Sequence, residues 1–213
     1  MRSDDVSRPA VQERGDGTGR RPRVGVFGGS FDPLHNGHLA AASWAADSLE
    51  LDSVLMVLAP DPWQKRDRVL APVDIRWEML VKGCVANPVL VPSATEIERD
   101  GPTYTIDTLE VLGGSQDLVL IIGADAARRI DTWHRSEDVL RCAEIAVVDR
   151  AGELPNIEER GWLGVELPRI DISSTLIRDR AARGLSVTGL VPAAVESIMR
   201  ATGTYREPPE PAD

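Results

Sequence analysis

The sequence predicts one α/β domain built on an open parallel sheet with helices on both faces. Three observations carry that prediction. The apolar runs Arg23 to Phe27, Ser53 to Leu58 and Leu118 to Ile122 are continuous rather than alternating, which marks strands covered on both faces. Stretches of helical character lie between them, notably the Ala-rich Leu39 to Leu49 and the segment Val73 to Cys84. With 213 residues, 42% of them hydrophobic, the chain can bury one full core, and nothing requires a second.

Residues 1–21 mix Ser, Asp, Arg, Gly, Glu and Gln without apolar periodicity, and 207–213 are rich in Pro and Glu. Both ends read as disordered tails around a domain spanning 22–206. The first strand, Arg23 to Phe27, runs into Gly28-Gly29-Ser30-Phe31-Asp32-Pro33-Leu34-His35-Asn36-Gly37-His38-Leu39. Gly28 and Gly29 allow close approach of backbone to a ligand, Asp32-Pro33 sets a turn, and Asn36 can cap the following helix. The free amides of that helix start form an anion site. His35 and His38 stand one turn apart on it, and Gly37 leaves the space between them open to a phosphate.

The second strand, Ser53 to Leu58, opens into Ala59-Pro60-Asp61-Pro62-Trp63-Gln64-Lys65-Arg66. Ligands bind just beyond such strand ends, so Gln64 and Lys65 are phosphate candidates, against the alternative of a solvated basic loop. Val73 to Cys84 is a helix with Ile75, Met79 and Leu80 inward, and Asn87-Pro88 stops it. Val89 to Val91 is a short strand. The turn Gly101-Pro102-Thr103-Tyr104-Thr105 leads to a helix from Ile106 to Leu112 that Thr105 can cap and Gly113-Gly114 ends. Leu118 to Ile122 is the central strand. It delivers Asp125 to the edge that carries the histidines, where the carboxylate suits ribose hydroxyls or simply caps a helix from Ala126 to Ile130.

A short helix from Ser136 to Arg141 precedes the strand Glu144 to Val148, with Arg150 beyond it as a further phosphate candidate. Gly152 to Gly161 is a polar loop, and Val165 to Leu167 the last strand. In Ile172-Ser173-Ser174-Thr175-Leu176-Ile177-Arg178 a hydroxyl cluster opens a helix, with Arg178 one turn beyond Ser174. Hydroxyls, free amides and a guanidinium there make a second oxyanion cluster, or a plain helix start. A closing helix runs from Pro192 to Ala201, ended by Gly203.

The formal net charge of −10 argues against a broad nucleic-acid footprint, which needs clustered Lys and Arg. The ligand is small, and a few basic groups carry its site. No apolar run reaches the ~18 residues of a spanning helix. Cys84 and Cys142 lack metal-ligand company or a C-x-x-C spacing and read as reduced core thiols of a cytoplasmic protein. The glycines match neither a P-loop nor the dinucleotide fingerprint.

GGSFDPLHNGHL and ISSTLIR resemble the T/H-x-G-H nucleotidylyltransferases, whose sheet is Rossmann-like. PWQK, GPTYTIDTL and GADAARRIDTWHR are similar to segments of the bacterial nicotinate-nucleotide adenylyltransferases. The resemblance covers 23–206 and implies adenylyl transfer from ATP to nicotinate mononucleotide, with Mg²⁺ on the phosphates. By position it implies that Gly28, Gly29, Ser30, Phe31, His35, His38, Ser173, Ser174, Thr175 and Arg178 hold ATP, with Asp125 on ribose. Gln64, Lys65, Tyr104, Thr105, Trp133, His134 and Arg150 fall to the mononucleotide, Trp133 stacking on the pyridine ring. His35, His38, Lys65 and Arg178 carry catalysis. Ala59 departs from the family's small polar residue, and His134 from the aromatic that often follows the Trp. A phosphopantetheine adenylyltransferase or a non-catalytic nucleotide sensor would share the terminal motifs. A homo-oligomer stays open.

Overall fold

The structure, a computed structural model, describes residues 20–61, 71–99, 101–149 and 157–206; both tails, save Arg20 and Arg21, lie outside these residues, as do Trp63, Gln64, Lys65 and Arg150. Six strands form one sheet: β1 (Arg23–Gly29), β2 (Ser53–Leu58), β3 (Leu90–Ser93), β4 (Asp117–Gly123), β5 (Glu144–Asp149) and β6 (Leu163–Glu166). Their spatial order is β3-β2-β1-β4-β5-β6, and each neighbouring pair is parallel. This is the doubly wound Rossmann-like order, whose direction of winding reverses between β1 and β4.

The helices are α1 (Asn36–Ser48), α2 (Val73–Cys84), α3 (Thr105–Leu112), α4 (Ala124–Ala127), α5 (Ser136–Cys142), α6 (Ile157–Arg160), α7 (Ser174–Ala182) and α8 (Ala193–Thr202). They cover the sheet on both faces. β2 shows why its run is unbroken: Val54, Met56 and Leu58 enter one core with α1, α2, α7 and α8, while Leu55 and Val57 enter the other with α3 and α5. Gly25 in β1 is fixed by packing, since a Cβ there would lie 2.8 Å from Ile121 and 2.9 Å from Leu51.

Several boundaries differ from the sequence reading. α3 begins at Thr105 with Tyr104 as its N-cap residue, so Thr105 is not the cap. α4 is one turn long and follows Gly123, leaving Asp125 inside the first turn rather than at the cap. The segment read as a polar loop from Gly152 to Gly161 ends in α6, and β6 precedes the expected last strand by two residues. Cys84 is buried, its thiol pushed up to about 12 by loss of solvation, but Cys142 is exposed and so no core thiol. At the start of the described residues, Arg20 pairs with Asp52 at 2.9 Å and Arg21 with Asp117 at 3.3 Å, both on the surface.

Candidate active site

β1 delivers its glycines to the carboxyl end of the sheet, and there the chain turns through a cis Asp32-Pro33 peptide into α1. His35, not Asn36, is the N-cap of α1. Its Nδ1 accepts from the His38 backbone N–H at 3.2 Å, and His38 Nδ1 accepts in return from the His35 N–H at 3.3 Å. The two imidazoles thus build a reciprocal capping box, and their rings stack at 3.6 Å with planes 18° apart. Asn36 is the first helical residue, and its side-chain amide donates to the Gly189 carbonyl at 2.8 Å. Because each Nδ1 accepts a backbone N–H, the proton of a neutral ring at either position is carried by Nε2.

Gly37 does not leave the expected opening. A Cβ there would stand 3.0 Å from His35 Nδ1 and 3.2 Å from the Ile172 carbonyl, so the missing side chain lets the His35 ring and the segment leading to α7 close in. Gly28 is the open position, with nothing within 4 Å of a Cβ. Phe31, buried and held at φ 40°, sets its ring edge-on to His38 at 5.1 Å.

α7 docks directly on this turn. Ser173 caps α7 through its Oγ, which accepts from Leu176 N–H at 3.2 Å, and Ser174 Oγ donates to the Pro33 carbonyl at 3.2 Å. Arg178 donates through Nη1 to the Asp32 carbonyl and through Nη2 to Thr175 Oγ1, the latter at 3.0 Å. Two helix starts therefore meet at one place, joined by a bond between residues 141 positions apart in the chain.

That place is the reversal between β1 and β4, where doubly wound sheets bind nucleotides. Asp125 follows β4 there, solvent-exposed and paired with Arg128 at 2.8 Å. Further out, Tyr104 and His134 face each other with ring centroids 4.3 Å apart. Thr105 opens α3, whose first turn has no side-chain cap bond. Trp133 is half-buried against the second core, and its Nε1 is buried without a hydrogen-bond partner among the described residues. Behind the turn, Glu96 is buried and accepts from Thr108 Oγ1 at 2.8 Å; burial pushes its carboxyl above the usual range, against the pull of that bond.

Three residues escaped the sequence reading. Asp32, read only as a turn former, is 1% exposed and accepts from the Ala71 N–H at 3.1 Å and from Tyr205 Oη at 2.7 Å. Arg76 is equally buried and donates to four backbone carbonyls, those of Ala71, Ser30, Ala59 and Pro60. Desolvation pulls its guanidinium pKa down, and nearby Asp32 opposes this. Its place on the stripe Arg76, Met79, Leu80, Gly83 was the available signal: a charge at a core position of an amphipathic helix. Tyr205 carried no signal of its own.

The profile of the cytidylyltransferase-like family matches residues 26–180. A relative from Acidothermus cellulolyticus, named "Probable nicotinate-nucleotide adenylyltransferase", is 40% identical over 204 residues, covering 89% of this chain and 97% of its own. The chain belongs to the nicotinate-nucleotide adenylyltransferase family. A Thermus thermophilus relative of the same name is 42% identical over 189 residues, covering 86% of this chain and all (100%) of its own. The fold also matches the Plasmodium falciparum nicotinic acid mononucleotide adenylyltransferase complexed with NaAD, at TM-score 0.71 and 16% identity over 86% of this chain and 97% of that one. His35 and His38 at the start of α1 and the Ser173–Arg178 segment of α7 border the same Asp32-Pro33 turn; Lys65 lies outside the described residues.

Proposed function

We infer that the chain transfers the adenylyl group of ATP to nicotinate mononucleotide, giving nicotinate adenine dinucleotide and pyrophosphate, as a step of NAD biosynthesis. The observation that supports this best is the convergence of the His35–His38 pair with the start of α7 and Arg178 at the sheet reversal. Near-full-length identity to relatives named for this reaction supports it as well.

The chemistry follows from the donors. A phosphate oxygen of the mononucleotide attacks the α-phosphorus of ATP in line; the new P–O bond forms as the bond to the β-phosphate oxygen breaks, and pyrophosphate leaves with its electron pair. The attacking oxygen is already anionic, so no general base is required. His35 and His38, through Nε2, and Arg178 donate to the oxygens on which charge grows, and such preorganised donors contribute about 3 to 4 kcal/mol each. Lys65 and Gln64 take the mononucleotide phosphate, and Asp125 the ribose of ATP. Among the described residues no group of three His, Cys, Asp or Glu could hold a metal ion. Arg178 and Lys65 are cationic and the histidines donate, a set that suits phosphate, so Mg²⁺ would ride on the phosphates and neutralise their charge.

No helix among the described residues is long and apolar enough to cross a membrane. Incubation with ATP, Mg²⁺ and nicotinate mononucleotide tests the reading. Nicotinate adenine dinucleotide and pyrophosphate in equal amounts are expected. ATP binding without pyrophosphate release would refute the reading, and pyrophosphate release on adding phosphopantetheine instead would separate another adenylyltransferase from a nucleotide sensor.

A further inference from the structure

Asp32 joins distant parts of the chain at the phosphate site. Its Oδ1 receives the Ala71 N–H at 3.1 Å and Tyr205 Oη at 2.7 Å, its Oδ2 lies 3.5 Å from Arg178 Nη1, and its backbone carbonyl takes a bond from the same Nη1. The carboxylate is buried, so each of these contacts acts in a poorly screened environment.

Backbone geometry marks the same network. Four non-glycine residues among those described hold left-handed φ angles, and two of them adjoin Asp32: Phe31 (φ 40°) precedes it in sequence and Tyr205 (φ 70°) touches it in space. A non-glycine residue keeps such a φ only where its surroundings over-determine it, and such positions gather at functional sites. Tyr205 is held by its ring, packed against the first core, and by its hydroxyl on Asp32.

We propose that Tyr205 is a positioning residue of the phosphate site: its hydroxyl orients the Asp32 carboxylate, and Asp32 holds the Arg178 guanidinium ready for the phosphates of ATP. With Oδ1 occupied by two donors, Oδ2 and the carbonyl remain for Arg178. Thr175 Oγ1 fixes the other end of the guanidinium fork at 3.0 Å. An arginine ordered before the ligand arrives spares ATP binding the entropy of ordering it. This rests on the reading of Arg178 as a phosphate donor.

The test is Tyr205→Phe, which keeps the packed ring and deletes one hydroxyl. Losing a hydrogen bond to a charged group corresponds to about a tenfold effect, expected in the calorimetric affinity for ATP and in kcat/KM for ATP. KM for nicotinate mononucleotide at saturating ATP stays at its wild-type value, and the melting temperature falls no further than the loss of one hydrogen bond requires. In an Arg178→Ala background the hydroxyl deletion costs nothing further, because its effect passes through that side chain. Wild-type ATP affinity in Tyr205→Phe overturns the proposal. So does an equal loss toward both substrates with a lowered melting temperature, or a tenfold loss that persists without Arg178. Should Tyr205→Phe fail to fold, Asp32→Asn serves: it keeps an Oδ1 acceptor for Ala71 and Tyr205 but removes the charge facing Arg178. The same ATP-specific loss, absent in the Arg178→Ala background, is expected there, and simple additivity overturns the idea. ATP affinity is read without the second substrate, so a different acceptor would refute the proposed function and leave this coupling standing. A chain that binds no ATP refutes both.

Discussion

Replacing Arg76 by Met removes a buried cation while keeping most of the side chain's length in the core. The guanidinium spans four carbonyls, with Nε on Ala71 (2.8 Å), Nη1 on Ser30 (3.0 Å) and Ala59 (2.9 Å), and Nη2 on Pro60 (2.7 Å). The Ser30 bond is fully buried, so that acceptor keeps its whole desolvation penalty, about 1 to 3 kcal/mol. The other three are partly buried, and water can replace much of each lost bond, leaving about 0.5 to 1 kcal/mol apiece. Against this the variant gains relief from burying a charge, the effect that already pulls the Arg76 pKa down. The net loss is then about 2 to 4 kcal/mol, a large share of a typical 5 to 15 kcal/mol stability. For a chain of this size that lowers the melting temperature by roughly 5 to 15 °C. Urea denaturation at 25 °C followed by circular dichroism reads it as a lower midpoint at unchanged slope. Arg76→Lys, able to reach fewer of the four carbonyls, falls in between. A midpoint within about 0.5 kcal/mol of wild type, or a stabilised Arg76→Met, would show that desolvation outweighs the four bonds and refute the clamp.

The histidines carry fold as well as chemistry: His38→Ala and His35→Ala each lower turnover by about 10² or more, and each also loses one bond of the reciprocal capping box, about 1 kcal/mol of stability, read by paired kinetics and melts. Equal stability of both variants to wild type would remove the capping role. Nicotinate mononucleotide is preferred over its amide counterpart from roughly tenfold to several hundredfold, because the uncapped first turn of α3 offers N–H donors that suit a carboxylate and oppose an NH₂; equal kcat/KM for the two counts against it. Glu96 supplies a pH test. Its folded pKa lies above the ordinary 4.5, so the native state binds the proton more tightly and stability falls as pH rises through the window above 4.5. Glu96→Gln lacks that dependence, and its stability relative to wild type is therefore higher at pH near neutrality than near 4.5; a flat or inverted difference in urea midpoints would contradict the burial of the charge.

Much of this protein is determined by local sequence. The runs Ser53–Leu58 and Val73–Cys84 became β2 and α2 with the expected bounds, since unbroken apolar residues and a helical stripe each leave one way to bury side chains. That the histidine pair and the Ser173–Arg178 segment each open a helix was legible, because hydroxyl and imidazole acceptors spaced at a helix start are local capping signals. Cap identities were less so: Asn36 and Thr105 are good capping residues, but His35 accepts the amide at α1, and Tyr104 opens α3 without a side-chain bond. A helix start shifts by one residue at little local cost, and tertiary contacts such as Asn36 with Gly189 decide it. Strand order, and with it the meeting of β1 and β4, was decided only by the fold, as was the docking of α7 on the Asp32-Pro33 turn. The same holds for Asp32, Arg76 and Tyr205. Their roles lie in bonds between residues 39, 46 and 173 positions apart, and no periodicity records a pairing that exists only once the chain has closed on itself.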